Sequence, residues 1–379
     1  MDPHADTLAL ARRLVACPSL TPDDAGTLAI VEQRLGALGF SCERIDRAGV
    51  TNLWATHGSG GPIVCFAGHV DVVPTGPVEQ WSVPPFGATV ADGYLVGRGA
   101  ADMKASVAAM VTAIERVVLS APAHPGRLAL LLTSDEEGDA LHGTKAVVEV
   151  LQARGMTIDH CLVGEPTSAT RFGDTIKNGR RGSLSGQLRV RGVQCHVAYP
   201  ERGRNPIHQA APALAELSAT SWDAGNEYFG PTTFQISNIH AGTGAPNVVP
   251  GVLEVQFNLR FSPQSPADHL RERIHAVLDR YGLEYELEWT VSAEPFITPE
   301  GSLVEAVREA VMAEAGVAAE LSTSGGTSDG RFLAAIAGQV VEFGPMNDTI
   351  HKIDERMAAA YLGPLSRIYE RVARALLAS

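Results

Sequence analysis

The sequence predicts an α/β fold: a larger domain on a mainly parallel central sheet, interrupted by a smaller α+β domain. Three observations carry the prediction. Helix and strand signals alternate through the first third of the chain, the pattern of parallel strands covered by helices. The middle holds strands whose apolar and polar residues alternate, as in a sheet with one face in water. After Pro295 the alternation of helix and strand resumes. The boundaries that follow are 1–181 for the first part of the larger domain, 182–294 for the insert and 295–379 for the second part. A chain of 379 residues has room for such an arrangement.

The elements follow in order. Thr21-Pro22-Asp23-Asp24 has the marks of a helix start: a capping hydroxyl, Pro in the first turn and acids behind it. That helix runs through Ile30, Val31 and Leu35 and stops near Gly39. Short β-rich runs follow at 42–45, 52–56 and 63–67. The segment 74–93 carries Pro74, Pro77, Pro84 and Pro85 and reads as a long loop. Residues 103–119 read as a helix apolar on most sides, 128–133 as a buried strand, 144–154 as a helix and 161–164 as a strand. In the middle, Leu184, Gly186, Leu188 and Val190 share one face of a strand at 183–191, with Ser185, Gln187, Arg189 and Arg191 on the other. A helix at 207–219, strands at 232–239 and 253–261, a helix at 267–281 and a strand at 284–290 complete the insert. The last part gives a helix at 303–315, a strand at 340–343 and a long final helix at 355–377.

Composition excludes several classes of function. Lys+Arg is 30 and Asp+Glu 43, a formal net charge of −13. A surface of that sign repels phosphate backbones and anionic lipid, so neither nucleic acid nor a membrane is an expected partner. The longest apolar runs, such as 128–132, fall far short of the roughly 18–20 residues of a membrane span. The start, Met-Asp-Pro-His-Ala-Asp, is acidic where a signal peptide is basic. Five scattered cysteines (Cys17, Cys42, Cys65, Cys161 and Cys195) give neither a disulfide framework nor a CxxC metal site. The expectation is a reduced, soluble, cytoplasmic protein.

Five segments carry chemistry. Gly68-His69-Val70-Asp71 follows the apolar run 63–67, and in extended chain His69 and Asp71 point the same way. Asp71 can then hold the His69 ring or stand behind it; a strand-end His capped by an Asp is the plainer alternative. Gly97-Arg98-Gly99-Ala100-Ala101-Asp102-Met103-Lys104 looks like a phosphate loop opening a helix, but Asp102 stands at the third glycine position and a carboxylate there repels pyrophosphate. Asp102 suits a cation, or it answers the helix dipole. Asp135-Glu136-Glu137 ends the strand 128–133, and three acids at a buried strand end call for a cation or protons. Glu165 in Gly164-Glu165-Pro166-Thr167 lies at another strand end, and His351 in Asp348-Thr349-Ile350-His351-Lys352 precedes the expected last helix. Ligand sites in α/β sheets lie beyond the carboxyl ends of strands, so these groups are expected to converge. Histidines and carboxylates without thiolate suit Zn²⁺ or Mn²⁺.

Taken together and in this order, these segments resemble the dinuclear-zinc aminoacylase/carboxypeptidase family, peptidase family M20, across nearly the whole chain. The resemblance implies a zinc-exopeptidase-like catalytic domain, with the insert as a dimerisation or lid domain of a homodimer. It implies two Zn²⁺ per subunit, with Co²⁺ or Mn²⁺ as possible substitutes. His69 and Glu165 bind one ion, Glu137 and His351 the other, and Asp102 bridges them. Asp71 orients His69, and Glu136 is the general acid/base for attack on an amide by a hydroxide held between the metals. The resemblance also implies a cis peptide at Asp102-Met103, and a His196 that reaches the partner's active site and stabilises the oxyanion.

Three further segments resemble the branch of this family that hydrolyses N-succinyl-LL-2,6-diaminopimelate, a step of lysine and diaminopimelate biosynthesis. They are Asn178-Gly179-Arg180-Arg181-Gly182-Ser183, His196-Val197-Ala198-Tyr199-Pro200 and Ser324-Gly325-Gly326-Thr327-Ser328-Asp329-Gly330-Arg331-Phe332. The resemblance points to Arg180, Ser183, Tyr199, Asn247, Arg260 and Thr327 as substrate contacts. The Gly325-Gly326 loop can offer backbone N–H groups to a carboxylate. Residues 171–204 hold eight bases against two acids, a composition suited to a tricarboxylate substrate. Arg189 and Arg191 alternate outward and read as solvated residues. Cys195 stands where such enzymes commonly have Gly, and Glu201 where the desuccinylating branch commonly has His. Another amidohydrolase of the family, such as an acetylornithine deacetylase or a dipeptidase, is the alternative.

Overall fold

The computed structural model describes residues 3–378; Met1, Asp2 and Ser379, which belong to the expected outer segments, lie outside it. The chain forms two compact units. The first runs to Gly179 and takes in Ile297–Ser322 and the chain from Ser328 onward; the second comprises Arg180–Phe296 and Thr323–Thr327.

The first unit is built on an eight-stranded mixed, mainly parallel sheet. Its order is Ser41–Arg44, Asn52–Gly58, Arg127–Thr133, Ile63–His69, Ile158–Val163, Ala337–Glu342, Thr175–Lys177 and Glu320–Ser322. The four strands from Arg127–Thr133 to Ala337–Glu342 run parallel to one another. Leu128–Leu132, Val64–Ala67, Cys161–Val163 and Val340–Val341 within them are buried apolar runs, as strands covered on both faces require. Helices Pro3–Val15, Ala105–Ser120, Ser302–Ala315 and Leu362–Leu377 pack around Leu10, Leu14, Val107, Val111, Val307 and Ile368 in the main core. Ala105–Ser120 is buried on nearly all sides, in keeping with its all-round apolar sequence.

Two expected helix boundaries differ. Thr21-Pro22 does not start a helix. Leu20 pairs with Val72 in a parallel bridge, the Thr21 N–H donates to the Val72 carbonyl at 3.2 Å, and the Asp23 N–H closes a turn onto the Leu20 carbonyl at 2.9 Å. The residue before a proline is disfavoured from the helical region. The helix begins at Thr27–Gly36, where the Asp24 carboxylate accepts the Leu28 N–H at 3.0 Å. The final helix begins at Leu362, not at 355, because Arg356–Ala358 forms a strand against Tyr94–Val96.

The second unit is a four-stranded antiparallel sheet in the order Thr233–Ala241, Val252–Phe261, Gly182–Arg191 and Tyr285–Ala293, with helices Pro206–Ala219 and Ala267–Arg280. Leu184, Leu188 and Val190 join Val255, Phe257, Leu259, Leu270 and Ile274 in its own core. The opposite face is charged: Arg189 lies 3.8 Å from Glu254, and Arg191 pairs closely with Glu286. Among the described residues no helix is long and apolar enough to cross a membrane.

Candidate metal centre

Three parallel strands of the first unit deliver the site. His69 is the last residue of Ile63–His69, Thr133 lies beside it in register, and Glu165 stands two residues past Ile158–Val163. Side chains at these positions leave the apolar layer where the sheet ends. Asp102 comes from the tight turn that leads into Ala105–Ser120, across a cis peptide at Asp102-Met103. His351 sits in a loop at φ 59°, on the side of Asp102 away from His69.

The distances draw these groups together. His69 Nε2 lies 3.1 Å from Asp102 Oδ1 and 4.0 Å from Glu165 Oε1. His351 Nε2 lies 3.5 Å from Asp102 Oδ2 and 3.0 Å from Glu137 Oε1. Asp102 therefore turns one oxygen toward each histidine. Ligand atoms of His69, Asp102 and Glu137 all fall within 4.8 Å of one another. His69 is buried and His351 half-exposed, so the cluster reaches from the interior to the surface.

Asp71 works through its backbone as well as its side chain. His69 Nδ1 lies 2.9 Å from the Asp71 carbonyl oxygen and 3.6 Å from its Oδ1. A proton on Nδ1 directed at that carbonyl leaves the Nε2 lone pair for a cation. The Asp71 carboxylate accepts the N–H of Glu137 at 3.1 Å and lies 3.4 Å from that of Glu136. It thereby fixes the Glu136-Glu137 turn against the His69 strand.

Charge is concentrated here. Burial pushes Glu136 well above the usual carboxylate range, with Asp329, Glu137 and Asp102 adding to the effect. Burial, then Asp102 and Glu136, raise Glu165 in the same way. Asp102 goes the other way: burial alone would raise it, but hydrogen bonds from His351 and His69 hold it below the ordinary range. Burial disfavours a charged His69, and the Asp102 and Asp71 hydrogen bonds overcome that and raise its pKa. Hydrogen bonds to Asp102 and Glu137 lift His351 to about 10. So many acids in one place are tolerable only with protons or cations among them. Glu165 Oε1 is buried and has no hydrogen-bond partner. That orphaned oxygen beside His69 Nε2, in an all-nitrogen-and-oxygen donor set, fits a divalent cation.

The second unit places the remaining candidates in two groups. His196, Tyr199 and Asn247 form one: the His196 and Tyr199 rings are 5.8 Å apart, and Val197 donates to the Asn247 carbonyl at 3.0 Å. His196 and Tyr199 are exposed. Arg180, Ser183 and Arg260 form the other. Ser183 faces Arg260 across the sheet, and Arg180 Nη1 donates to the Ser324 carbonyl at 3.2 Å, beside Gly325, Gly326 and Thr327. Burial and the neighbouring Arg181 lower Arg260 below its usual pKa.

Asp135 departs from the expected acidic trio. Its carboxylate turns away from the cluster and accepts the N–H groups of Ala140 at 3.2 Å and His142 at 3.0 Å, closing the loop with no need of a cation. Trp81 is packed, with its Nε1 donating to the Thr75 carbonyl at 2.9 Å and Arg98 over its ring. Arg98 and Glu355 are buried and paired at 2.8 Å, and no ligand pattern in the sequence marks them.

Comparison with known proteins gives the family and the fold. The family described as peptidase family M20/M25/M40 matches residues 65–375. The chain is 62% identical over 375 residues to a succinyl-diaminopimelate desuccinylase of Azoarcus sp., covering 99% of each protein. It is 59% identical over 377 residues to the protein of the same name from Bordetella petrii, covering 100% of this chain and 99% of that one. Among solved structures, the aminopeptidase PepT of Bacillus cereus superposes with a TM-score of 0.81 at 20% identity, covering 99% of both chains. An M20 family metallo-carboxypeptidase of Sulfolobus solfataricus gives 0.81 at 16% identity, covering 99% of this chain and 100% of the other. At these identities the structural likeness carries the fold.

Proposed function

This chain belongs to peptidase family M20/M25/M40, and from that premise we propose that it is a metal-dependent amidohydrolase that cleaves N-succinyl-LL-2,6-diaminopimelate to succinate and LL-2,6-diaminopimelate. The observation that carries the reading is 62% identity across 99% of the chain to a protein named for that activity. The cluster of His69, Asp102, Glu137, Glu165 and His351 supplies the donors such chemistry needs.

We assign two Zn²⁺ to the cluster, with Co²⁺ or Mn²⁺ as substitutes. His69 and Glu165 hold one end, Glu137 and His351 the other, and Asp102 offers one oxygen to each. When bound, the ions acidify an attacking water and draw charge from the amide carbonyl. Asp71 keeps His69 in the right tautomer and anchors Glu136 through its N–H. Glu136 accepts the proton of the water as the C–O bond forms, then delivers it to the amide nitrogen as the C–N bond breaks. A carboxyl held well above the usual range by burial suits that double role. His196 serves as oxyanion donor across a homodimer. Arg180, Arg260, Ser183, Tyr199, Asn247 and the Gly326-Thr327 backbone hold the substrate's carboxylates. An acidic chain whose five cysteines are all free suits the reducing cytoplasm.

The test is direct. Purified, metal-loaded protein is given N-succinyl-LL-2,6-diaminopimelate and N-acetylornithine in parallel. Succinate release is the expected result. Acetate release without succinate would reassign the substrate to a deacetylase reaction.

A further inference from the structure

We propose that the buried ion pair of Arg98 and Glu355 sets the spacing of the metal ligands, tying three ligand-bearing segments to one post. The proposal rests on the reading of the cluster as a metal centre. Glu355 is fully buried and Arg98 is 2% exposed. Arg98 Nη1 donates to Glu355 Oε2 at 2.8 Å. The same carboxylate accepts the Gly99 N–H at 3.0 Å and the N–H groups of Ala101 and Asp102 at 2.9 Å each. The Glu355 carbonyl accepts the Gly97 N–H at 2.9 Å. The turn that aims Asp102 is thus bonded at four amides to a single residue.

Arg98 extends the tie to the His351 loop and to the chain that follows His69 and Asp71. Its Nη1 also lies 3.2 Å from the Lys352 carbonyl, next to His351, and its Nη2 donates to the Pro74 carbonyl at 3.2 Å, three residues past Asp71. Both Glu355 oxygens are engaged, so the pair acts through the ligands and not on the metal. Arg98 and Glu355 are positioning residues. This use also accounts for Gly97 and Gly99, whose spacing imitates a phosphate loop. A Cβ on Gly97 would lie 2.5 Å from Val15 Cγ1 and 2.9 Å from the Pro85 carbonyl. One on Gly99, at φ +82°, would lie 2.6 Å from Val72 Cγ1. The two glycines let the turn close onto Glu355.

Glu355→Gln and Arg98→Lys test the proposal on the full-length protein. Glu355→Gln sets an amide NH₂ against backbone donors. Arg98→Lys keeps the charge but cannot reach Glu355, Lys352 and Pro74 together. Co²⁺ affinity is measured by visible absorption and by competition with a chelator, with the thermal midpoint of each metal-free protein recorded alongside. The expected result is a dissociation constant raised about 10–100-fold in each variant, the usual cost of losing a partner that orients metal ligands, and an altered Co²⁺ spectrum. Glu115→Gln, which breaks the remote Arg34–Glu115 pair, serves as a control for general destabilisation and should bind Co²⁺ as the wild type does. If Glu355→Gln does not fold, Arg98→Lys carries the same comparison. Wild-type affinity and spectrum in the folded variants overturn the proposal alone. A wild type without saturable Co²⁺ binding overturns the metal-centre reading and this proposal with it.

Discussion

In the proposed mechanism the neighbours Glu136 and Glu137 divide two tasks, because consecutive side chains diverge. Glu137 lies 3.0 Å from His351, whereas burial keeps Glu136 disposed to hold a proton. Glu136→Gln should therefore keep metal binding and lower kcat by a factor on the order of 10² or more. Metal content and turnover measured on one preparation separate the two effects, and near-wild-type turnover would defeat the acid/base assignment. Asp71→Asn keeps the backbone carbonyl that faces His69 but weakens the acceptor for the Glu136 and Glu137 amides. A loss of about 10–100-fold in metal affinity or activity is expected. These residues are legible in sequence because each lies just past the end of a strand, at His69 or Thr133, where a short segment brackets its surroundings. Asp135 was not: it matches its neighbours in type, and its fate depends on amides five and seven residues further on. Glu355 was illegible for a stronger reason, since its partners lie more than 250 residues earlier in the chain.

At the scale of elements, the Gly182–Arg191 strand is legible face by face in the sequence, because a period of two needs no knowledge of what packs on it. What sequence could not supply was the reason for glycine on the buried face. Gly186 stands opposite Phe257, and a Cβ there would come 2.2 Å from the Phe257 ring. Gly186→Ala should destabilise the second unit by about 1–3 kcal/mol through overpacking, read as an earlier denaturant midpoint. An unchanged midpoint would show that the ring gives way freely. The misplaced start of the last helix has a physical cause of the same kind. Helix-favouring residues at 355–361 are overruled by a buried carboxylate and by strand pairing with Tyr94–Val96. Asp174 organises another turn. Burial works to raise its pKa, but the N–H groups of Ala169, Thr170 and Arg171 outweigh it and hold the carboxylate well below its usual range. A lowered folded-state pKa adds stability that is complete above the unfolded value of about 3.9 and is lost as pH falls toward the folded one. Asp174→Ala should melt earlier than the wild type at pH 7, and the gap should narrow below about pH 4. A gap that widens on acidification contradicts the sign.

At the scale of the whole molecule, the net charge of −13 conceals two different distributions. The first unit gathers acids at the candidate metal centre. In the second, Arg189, Arg191 and Arg204 of the basic stretch are met by Glu254, Glu286 and Glu284. The division into two cores has a measurable consequence, because every candidate ligand belongs to the first. A cation that binds only the folded site stabilises it by about 2.7 kcal/mol when free metal is 100 times its dissociation constant. The four tryptophans divide evenly, with Trp54 and Trp81 in the first unit and Trp222 and Trp289 in the second. A Trp222→Phe, Trp289→Phe variant therefore reports fluorescence from the first unit alone, while circular dichroism follows the whole chain. Adding Zn²⁺ to the metal-free variant should move the fluorescence transition to higher denaturant, with a smaller shift in the remaining dichroism signal. A fluorescence transition indifferent to Zn²⁺ would remove the metal from the first unit, whatever the activity of the enzyme. A shift that vanishes in a Glu165→Ala, His351→Ala variant would place the cation at the cluster.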